Sequence, residues 1–297
     1  MTARVIVTAP AKVNLYLHIT GARPDGYHLL DSLVAFAGLS DVLTLEPAAA
    51  FRLAVEGPFA AGLGGGADNL ALRAARALHE VAGAAQSPVA IRIEKNVPLA
   101  AGLGGGSADA AAVLAGLSRL WGIDAGIARG VAPGLGADVP VCLAARPVFM
   151  AGIGELLGPE AALPDAGLLL AGPGMALGTK AVFDAFDAGT DGGGAHRARA
   201  ALAPAPADAQ GLARALAATA NELTPAAMGL APAIGEVLAA IAALPGCRLA
   251  RMSGSGPTCF GLFDDARAAA RGAGEIKAAR PGWWGWGGGF APGMTIS

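Results

Sequence analysis

At 297 residues the chain is long enough for two domains of ordinary size or one large one, and its net charge of −2 with 15% charged residues offers no basic surface to nucleic acid or an anionic membrane. No apolar run reaches the roughly 18 residues that a membrane-spanning helix needs, and the opening MTARVIVTAP lacks the apolar core of a secretion signal, so the expected location is cytoplasmic. The three cysteines, Cys142, Cys247 and Cys259, share no metal-ligand spacing, and their odd number argues against a disulfide framework.

The first expected element is a strand. In AKVNLYLHIT (11–20), Val13, Leu15, Leu17 and Ile19 alternate with Lys12, Asn14, Tyr16 and His18. One face is expected to be core and the other open, with a cation, an amide, a phenol and an imidazole in a row. Polar residues on an open sheet face are ordinary, so Lys12 by itself reads first as a solvated strand residue. Pro24-Asp25-Gly26 is a strong turn signal. It sets Tyr27 and His28 at the tip or just beyond, as a hairpin cap or as part of a site. Ser40–Val55 continues as strand-like segments, with Asp41, Leu43 and Leu45 alternating with Val42, Thr44 and Glu46. The glycine stretch Gly62–Ala67 reads as a surface loop, capped by Asp68 before a helix over Asn69–Val81. Leu70, Ala74, Leu78 and Val81 share one side of that helix, and His79 is expected to face solvent among the charged Arg76 and Glu80.

Val89, Ile91 and Ile93 then alternate with Ala90, Arg92 and Glu94, a period-two strand. Pro98 stops the ladder because it has no N–H to donate. Glycines follow at 102, 104, 105 and 106, and Ser107 and Asp109 open a helix with Val113, Leu114, Leu117, Leu120 and Trp121 as its apolar stripe. Strand, glycine loop and helix N-terminus together make an anion site: converging N–H groups and the positive end of the helix dipole suit a phosphate chain. Two familiar nucleotide signatures are absent from this loop, although Gly62–Ala67, with no clear strand before it, fits the pattern GxGxxA. None of the four lysines (12, 95, 180 and 277) follows a glycine, as the Walker pattern requires, and Ser107 stands where a dinucleotide fingerprint needs Gly or Ala.

In GLGADVPVCLAARPVFMAGIGE (134–155), Asp138 enters the apolar run Val139–Ala144, expected to be a strand, as a cap or turn residue. Pro159 and Pro164 mark a boundary near residue 160. Leu168-Leu169-Leu170 reads as a short buried strand, and GTKAVFDAF (178–186) opens a helix that sets Thr179 and Phe183 one turn apart on one face. On composition, Phe183 reads equally as core packing. Ala188–Gln210 is low-complexity Gly/Ala/Pro and is expected to be a mobile loop. Helical patterns follow over Gly211–Leu223 and Ala233–Leu244, then two short strands around SGSGP (253–257), a helix over Asp264–Ala279, and a final strand at Trp283, Trp284 and Trp286.

Three of these stretches resemble the motifs of the GHMP kinases, which include galactokinase, homoserine kinase and mevalonate kinase. PLAAGLGGGSADAA is similar to their glycine-rich second motif, and the SGSGP segment to their third. APAKVNLYLHITGARPDGYHLLDS resembles the first motif of a single branch, whose alcohol substrate carries a cytidine diphosphate. The resemblance implies an α+β fold of two domains, a ribosomal-protein-like α/β domain over 1–160 and a ferredoxin-like domain over 161–297, with the substrates between them. It implies transfer of the γ-phosphoryl of ATP, assisted by Mg²⁺ whose direct protein ligands stay open, to a small cytidyl alcohol. Neither nucleic acid nor membrane is an expected partner. Nucleotide binding would fall to Lys95, on the adenine side, and to the backbone of Pro98, Leu99, Ala100, Ala101, Gly102, Leu103, Gly104, Gly105, Gly106, Ser107 and Ala108. Asp138, in the GADVP segment, would accept the hydroxyl proton, with Lys12 beside it as the second catalytic residue. Asn14, Tyr27, His28, Thr179 and Phe183 would bind the cytidyl substrate, with Tyr27 and Phe183 sandwiching the base.

Overall fold

The computed structural model describes residues 4–63, 66, 68–83, 85–190, 202 and 205–297. In the first part of the chain come β1 (Val5–Ala22), β2 (His28–Pro47), β3 (Arg52–Glu56), α1 (Leu70–Ala82), β4 (Val89–Glu94), α2 (Gly105–Trp121), α3 (Ala125–Leu135), α4 (Val139–Ala144), β5 (Val148–Gly152) and β6 (Leu156–Glu160). The remainder holds β7 (Gly167–Gly172), α5 (Thr179–Thr190), α6 (Ala209–Leu216), α7 (Thr224–Leu230), α8 (Ala233–Ala242), β8 (Leu249–Met252), β9 (Cys259–Phe263), α9 (Ala266–Ala279) and β10 (Trp284–Gly289). A six-stranded sheet runs β3-β4-β2-β5-β6 with β1 alongside β2, and a four-stranded antiparallel sheet runs β10-β7-β9-β8. Among the strands of the described residues, only β3 and β4 pair in parallel, joined across α1.

β1 is the spine of the molecule. Its first residues, Val5, Val7 and Ala9, lie in the core under α1 and α2. Ala11, Val13, Leu15 and Tyr16 lie in a core shared by the two sheets, and Leu17 and Ile19 in a third core under α5, α7 and α8. One edge of β1 pairs with β2 along its length, from Val5–Leu45 to Ala22–His28. The other edge is completed by four separate segments. Ile6 exchanges backbone hydrogen bonds with Ser297, each 2.9 Å, Lys12 N–H donates to Leu103 O at 2.8 Å, and Asn14 N–H donates to Ser253 Oγ at 3.1 Å. Leu17 donates to Ala220 O at 3.0 Å and accepts from Glu222 N–H at 2.9 Å.

The polar face of β1 is therefore not open: Tyr16 and His18 are fully buried, and Lys12 and Asn14 nearly so. Register shifts at Pro10/Lys12, Asn14/Tyr16 and Ile19/Gly21 break the strict alternation, and segments from the far end of the chain cover what the near end leaves exposed. Arg251 on β8 is the largest such cover. Its guanidinium donates to Leu15 O and Thr219 Oγ1 (2.8 and 2.9 Å) and to Leu216 O and Thr219 O (3.1 and 2.8 Å). Arg251→Ala strands those acceptors in a buried site and is expected to cost roughly 3–5 kcal/mol of stability, measured by denaturant unfolding. A loss under 1 kcal/mol would remove Arg251 as the clasp on β1.

Other expectations change locally. Val139–Ala144 is a helix, not a strand: Pro140 in its first turn has no N–H for a ladder, and the six residues are too few for periodicity to decide. The strand comes one turn later, as β5. The cap of α1 is Asn69, whose Oδ1 accepts from Ala71 N–H at 3.0 Å, rather than Asp68, and Val81 is exposed rather than on the buried side. His79 is half-buried, edge-on to Phe51 at 5.2 Å and Trp121 at 5.8 Å, with Nε2 at 2.9 Å from Gln86 O. The expected helix over Gly211–Leu223 ends at Leu216, because residues 220–222 run beside β1. α3 and α7 are additional, their patterns masked by Gly126, Gly130, Pro133 and Gly134 in one and Pro225 in the other. Of the low-complexity loop, residues 191–201, 203 and 204 lie outside the described residues, as do 64, 65 and 67 of the earlier glycine stretch.

Candidate active site

The loop between β4 and α2 takes its shape from residues that tolerate a left-handed backbone. Ala100, Gly102 and Gly104 have φ of +48°, +72° and +62°. Gly102 is also pressed against the β8–β9 loop: a Cβ there would lie 2.7 Å from both Ser253 O and Gly256 O. The two loops are tied by Ser253 Oγ donating to Gly102 O at 3.2 Å and Thr258 N–H donating to Ala101 O at 3.3 Å. α2 then opens on Gly104 with no side-chain cap, its first intrahelical bond running from Ala108 N–H to Gly104 O at 2.8 Å. An uncapped helix N-terminus beside open space at Gly106 is a site for an anion.

Lys12 lies against this loop. A Cβ on Gly104 would be 3.2 Å from the Cβ and Cε of Lys12, so the lysine stem fills the hollow behind that glycine. Its Nζ reaches Asp138 Oδ2 at 2.8 Å. Asp138 is the N-cap of α4 but makes no side-chain cap bond, so its carboxylate is not committed to the helix. The lysine side chain is 6% exposed and the aspartate 35%: a buried cation faces a carboxylate open to the cleft. One turn along α4, burial pushes the Cys142 thiol far up, so it stays a neutral neighbour.

From this pair the cleft, about 900 Å³ in volume, extends to the β1–β2 turn and α5. Tyr27, at the turn, is 58% exposed. The His28 ring stacks on Phe183 at 4.8 Å and 27°, and its Nε2 meets Asp187 Oδ1 at 2.6 Å. That ring is thus engaged by α5. Thr179 Oγ1 lies 3.0 Å from Ser255 Oγ, joining the start of α5 to the β8–β9 loop. Asn14 Nδ2 donates to Ser32 Oγ at 2.8 Å, and its Oδ1 is buried without a hydrogen-bond partner.

Every residue expected in the site lines this cleft except Ala108, which faces the core beneath α2. Lys95 lines the cleft while almost fully buried. Its Nζ lies 2.5 Å from Asp41 Oδ2 and 2.6 Å from Asp109 Oδ2, with all three side chains buried. Burial pulls the lysine pKa down, but Asp109 and Asp41 outweigh it and hold it above the ordinary value. Burial pushes the Asp109 carboxyl up; Lys95 pulls it back and Asp41 pushes it further, and the balance lies well above the usual carboxylate range. Lys95 is the centre of an ion triad under the loop. Sequence reasoning missed Asp41 and Asp109 as its partners, although Asp41 shares a face with Leu43 and Leu45, where an acid is out of place. It missed Asp187 too, one turn beyond Phe183 on α5.

The glycine loop on a helix N-terminus and the lysine–aspartate pair define the class as a small-molecule kinase. The chain matches the family models "GHMP kinases N terminal domain" over residues 69–145 and "GHMP kinases C terminal" over 199–281. It is 52% identical to a 4-diphosphocytidyl-2-C-methyl-D-erythritol kinase of Paramagnetospirillum magneticum, covering 98% of each chain. It is 50% identical to one of Rhodospirillum rubrum, covering 94% of this chain and 90% of the relative. A crystal structure of 4-(cytidine 5'-diphospho)-2C-methyl-D-erythritol kinase superposes with a TM-score of 0.78 at 36% identity, covering 97% of this chain and 100% of that one. Homoserine kinase from Cytophaga hutchinsonii shares the fold, with a TM-score of 0.69 at 19% identity over 100% of this chain and 98% of its own. The chain belongs to the GHMP kinase family and, within it, to the 4-diphosphocytidyl-2-C-methyl-D-erythritol kinases.

Proposed function

We propose that the chain transfers the γ-phosphoryl of ATP to the 2-hydroxyl of 4-diphosphocytidyl-2-C-methyl-D-erythritol, giving the 2-phosphate and ADP, in non-mevalonate isoprenoid precursor biosynthesis. The observation that carries the reading is the 2.8 Å Lys12–Asp138 pair at the end of the glycine loop, in a cleft that continues to Tyr27 and Phe183. Phosphoryl transfer asks mainly for positioning and charge stabilisation. The N–H groups of the loop and of the first turn of α2 hold the triphosphate. Asp138 takes the proton of the 2-hydroxyl as its oxygen bonds to the γ-phosphorus and the bond to the bridging oxygen of ADP breaks. Lys12 holds Asp138 in place and offsets charge on the phosphoryl in flight. Among the described residues no group of three or more His, Cys, Asp or Glu side chains could hold a metal. A magnesium ion bound together with the nucleotide would need no such cage; Asp138, part-exposed to the cleft, would help hold it, and the ion would offset charge on the phosphates.

Sheet membership supports a division of the chain at 160/161: β6 ends the first sheet at Glu160 and β7 begins the second at Gly167. No helix among the described residues is long and apolar enough to cross a membrane, and a cytoplasmic location belongs to the same proposal.

The test is ADP release with ATP and a panel of alcohols: the cytidyl substrate, its uridyl analogue, homoserine and mevalonate. Turnover should follow the cytidyl compound, and equal rates with the uridyl analogue or a preference for homoserine would overturn the reading. Base–aromatic stacking contributes roughly 1–3 kcal/mol per contact. Tyr27→Ala and Phe183→Ala are therefore each expected to raise KM for the cytidyl substrate by about 5–100-fold and leave KM for ATP nearly unchanged. Normal cytidyl affinity in both variants would take the base away from these rings.

A further inference from the structure

Two carboxylates and one ammonium are buried together beneath the glycine loop, and phosphoryl transfer as proposed above consumes none of them. Their bonds define a truss. Asp41 Oδ1 accepts from Asn96 N–H at 2.6 Å and Val97 N–H at 2.8 Å, so one carboxylate oxygen holds the chain where it leaves β4. Its Oδ2 accepts from Lys95 Nζ at 2.5 Å, and the same nitrogen donates to Asp109 Oδ2 at 2.6 Å, in the second turn of α2. The ammonium stands directly under the start of that helix: a Cβ on Gly105 would lie 3.2 Å from Nζ. Residues 95–97 and helix α2 are the two abutments of the loop, and this nitrogen joins them.

Stability alone is a poor account of the arrangement. Buried ion pairs are often no more stabilising than apolar residues of the same volume, and here Asp109 Oδ1 is left buried with no hydrogen-bond partner. Burial, with a second acid beside it, holds the Asp109 carboxyl far above its ordinary value. What the truss supplies is a fixed distance.

We propose that Asp109 is a positioning residue for the nucleotide: through Lys95 and Asp41 it sets how far α2 stands from residues 95–97, and so where the loop presents its N–H groups to the phosphates. The proposal rests on the nucleotide reading given above. It singles out Asp109 because that residue reaches no ligand itself and can be altered without changing the loop sequence.

The experiment is steady-state kinetics of wild type, Asp109→Asn and Asp109→Ala with both substrates varied, alongside thermal unfolding. Asp109→Ala removes the tie, and KM for ATP is expected to rise at least tenfold, with KM for the cytidyl substrate within twofold. Asp109→Asn keeps an acceptor for Lys95 but sets an amide N–H₂ where Oδ1 is buried without a partner, and an intermediate rise of about threefold is expected. That graded rescue is what a purely structural role would not give. An unchanged KM for ATP in either folded variant, or equal rises for both substrates, overturns the proposal. Loss of cooperative unfolding in the Asn variant also overturns it, because the triad then serves the fold as a whole. A wild type that does not saturate with ATP would overturn the nucleotide reading first and this proposal with it.

Discussion

Asp138→Asn is expected to lower kcat by roughly 10²–10⁴-fold, the range for removing a general base, with the fold and the affinity for ATP retained. The amide has the size of the carboxylate and leaves an oxygen for Lys12 Nζ, now 2.8 Å from Oδ2, but it cannot take the hydroxyl proton. Helix α4 does not depend on the side chain, since Asp138 makes no cap bond and the backbone bond from Cys142 N–H to Asp138 O, 3.1 Å, is untouched. The carboxylate is part-exposed, so its loss should move the melting temperature little. Single-turnover rates and ADP titration separate the two effects. A folded variant that turns over within tenfold of wild type would remove Asp138 from the chemistry.

The second large effect is expected at Gly104. Its φ of +62° is a backbone conformation that a β-branched residue adopts only under strain, and its Cβ would press on the stem of Lys12 from 3.2 Å. Gly104→Val must therefore either flatten the loop or push Lys12 away from Asp138. Strain of ~1–3 kcal/mol, added to the loss of aligned N–H donors, should weaken ATP binding by about 10²-fold. The cytidyl end, built from the β1–β2 turn and α5, should bind its ligand as before, as read by calorimetry with each ligand alone. Equal loss of both ligands would show a folding defect instead, and retained ATP affinity would place the phosphates elsewhere.

Both positions were legible in the sequence, for different reasons. A backbone that must bend to the left demands glycine, so the loop announces itself in composition. Asp138 was visible only through its resemblance to a family segment, because a lone aspartate before VPVCLA has several ordinary explanations. The burial of Lys12, Asn14, Tyr16 and His18 was not legible, since their contacts come from Leu103, Ser253 and Ala220, far along the chain. Period-two alternation reports one neighbour on each face; β1 has a different neighbour every few residues. The triad was hidden in the same way: Asp41, Lys95 and Asp109 sit on three elements, and only their meeting makes sense of an acid on an apolar face. α4 was misread because six apolar residues carry no period, and α3 because three glycines and a proline erased one.

The strand that unites the molecule leaves the ribosome before every segment it pairs with. Val5–Thr8 finds β2 within about 40 residues, but the partners on its other edge, Thr295 and Ser297, lie at the far end of the chain. At ~5–20 residues per second, the interval between them is roughly 15–60 s. Throughout that interval the Ile6–Thr8 part of that edge is an open row of N–H and C=O groups, able to pair with any passing strand. Leu15 O, which Arg251 will take, and Leu17, which Ala220 and Glu222 will take, wait nearly as long. For this chain, crowding and the speed of translation bear on the yield of native protein through a single strand edge, which Thr295 and Ser297 close.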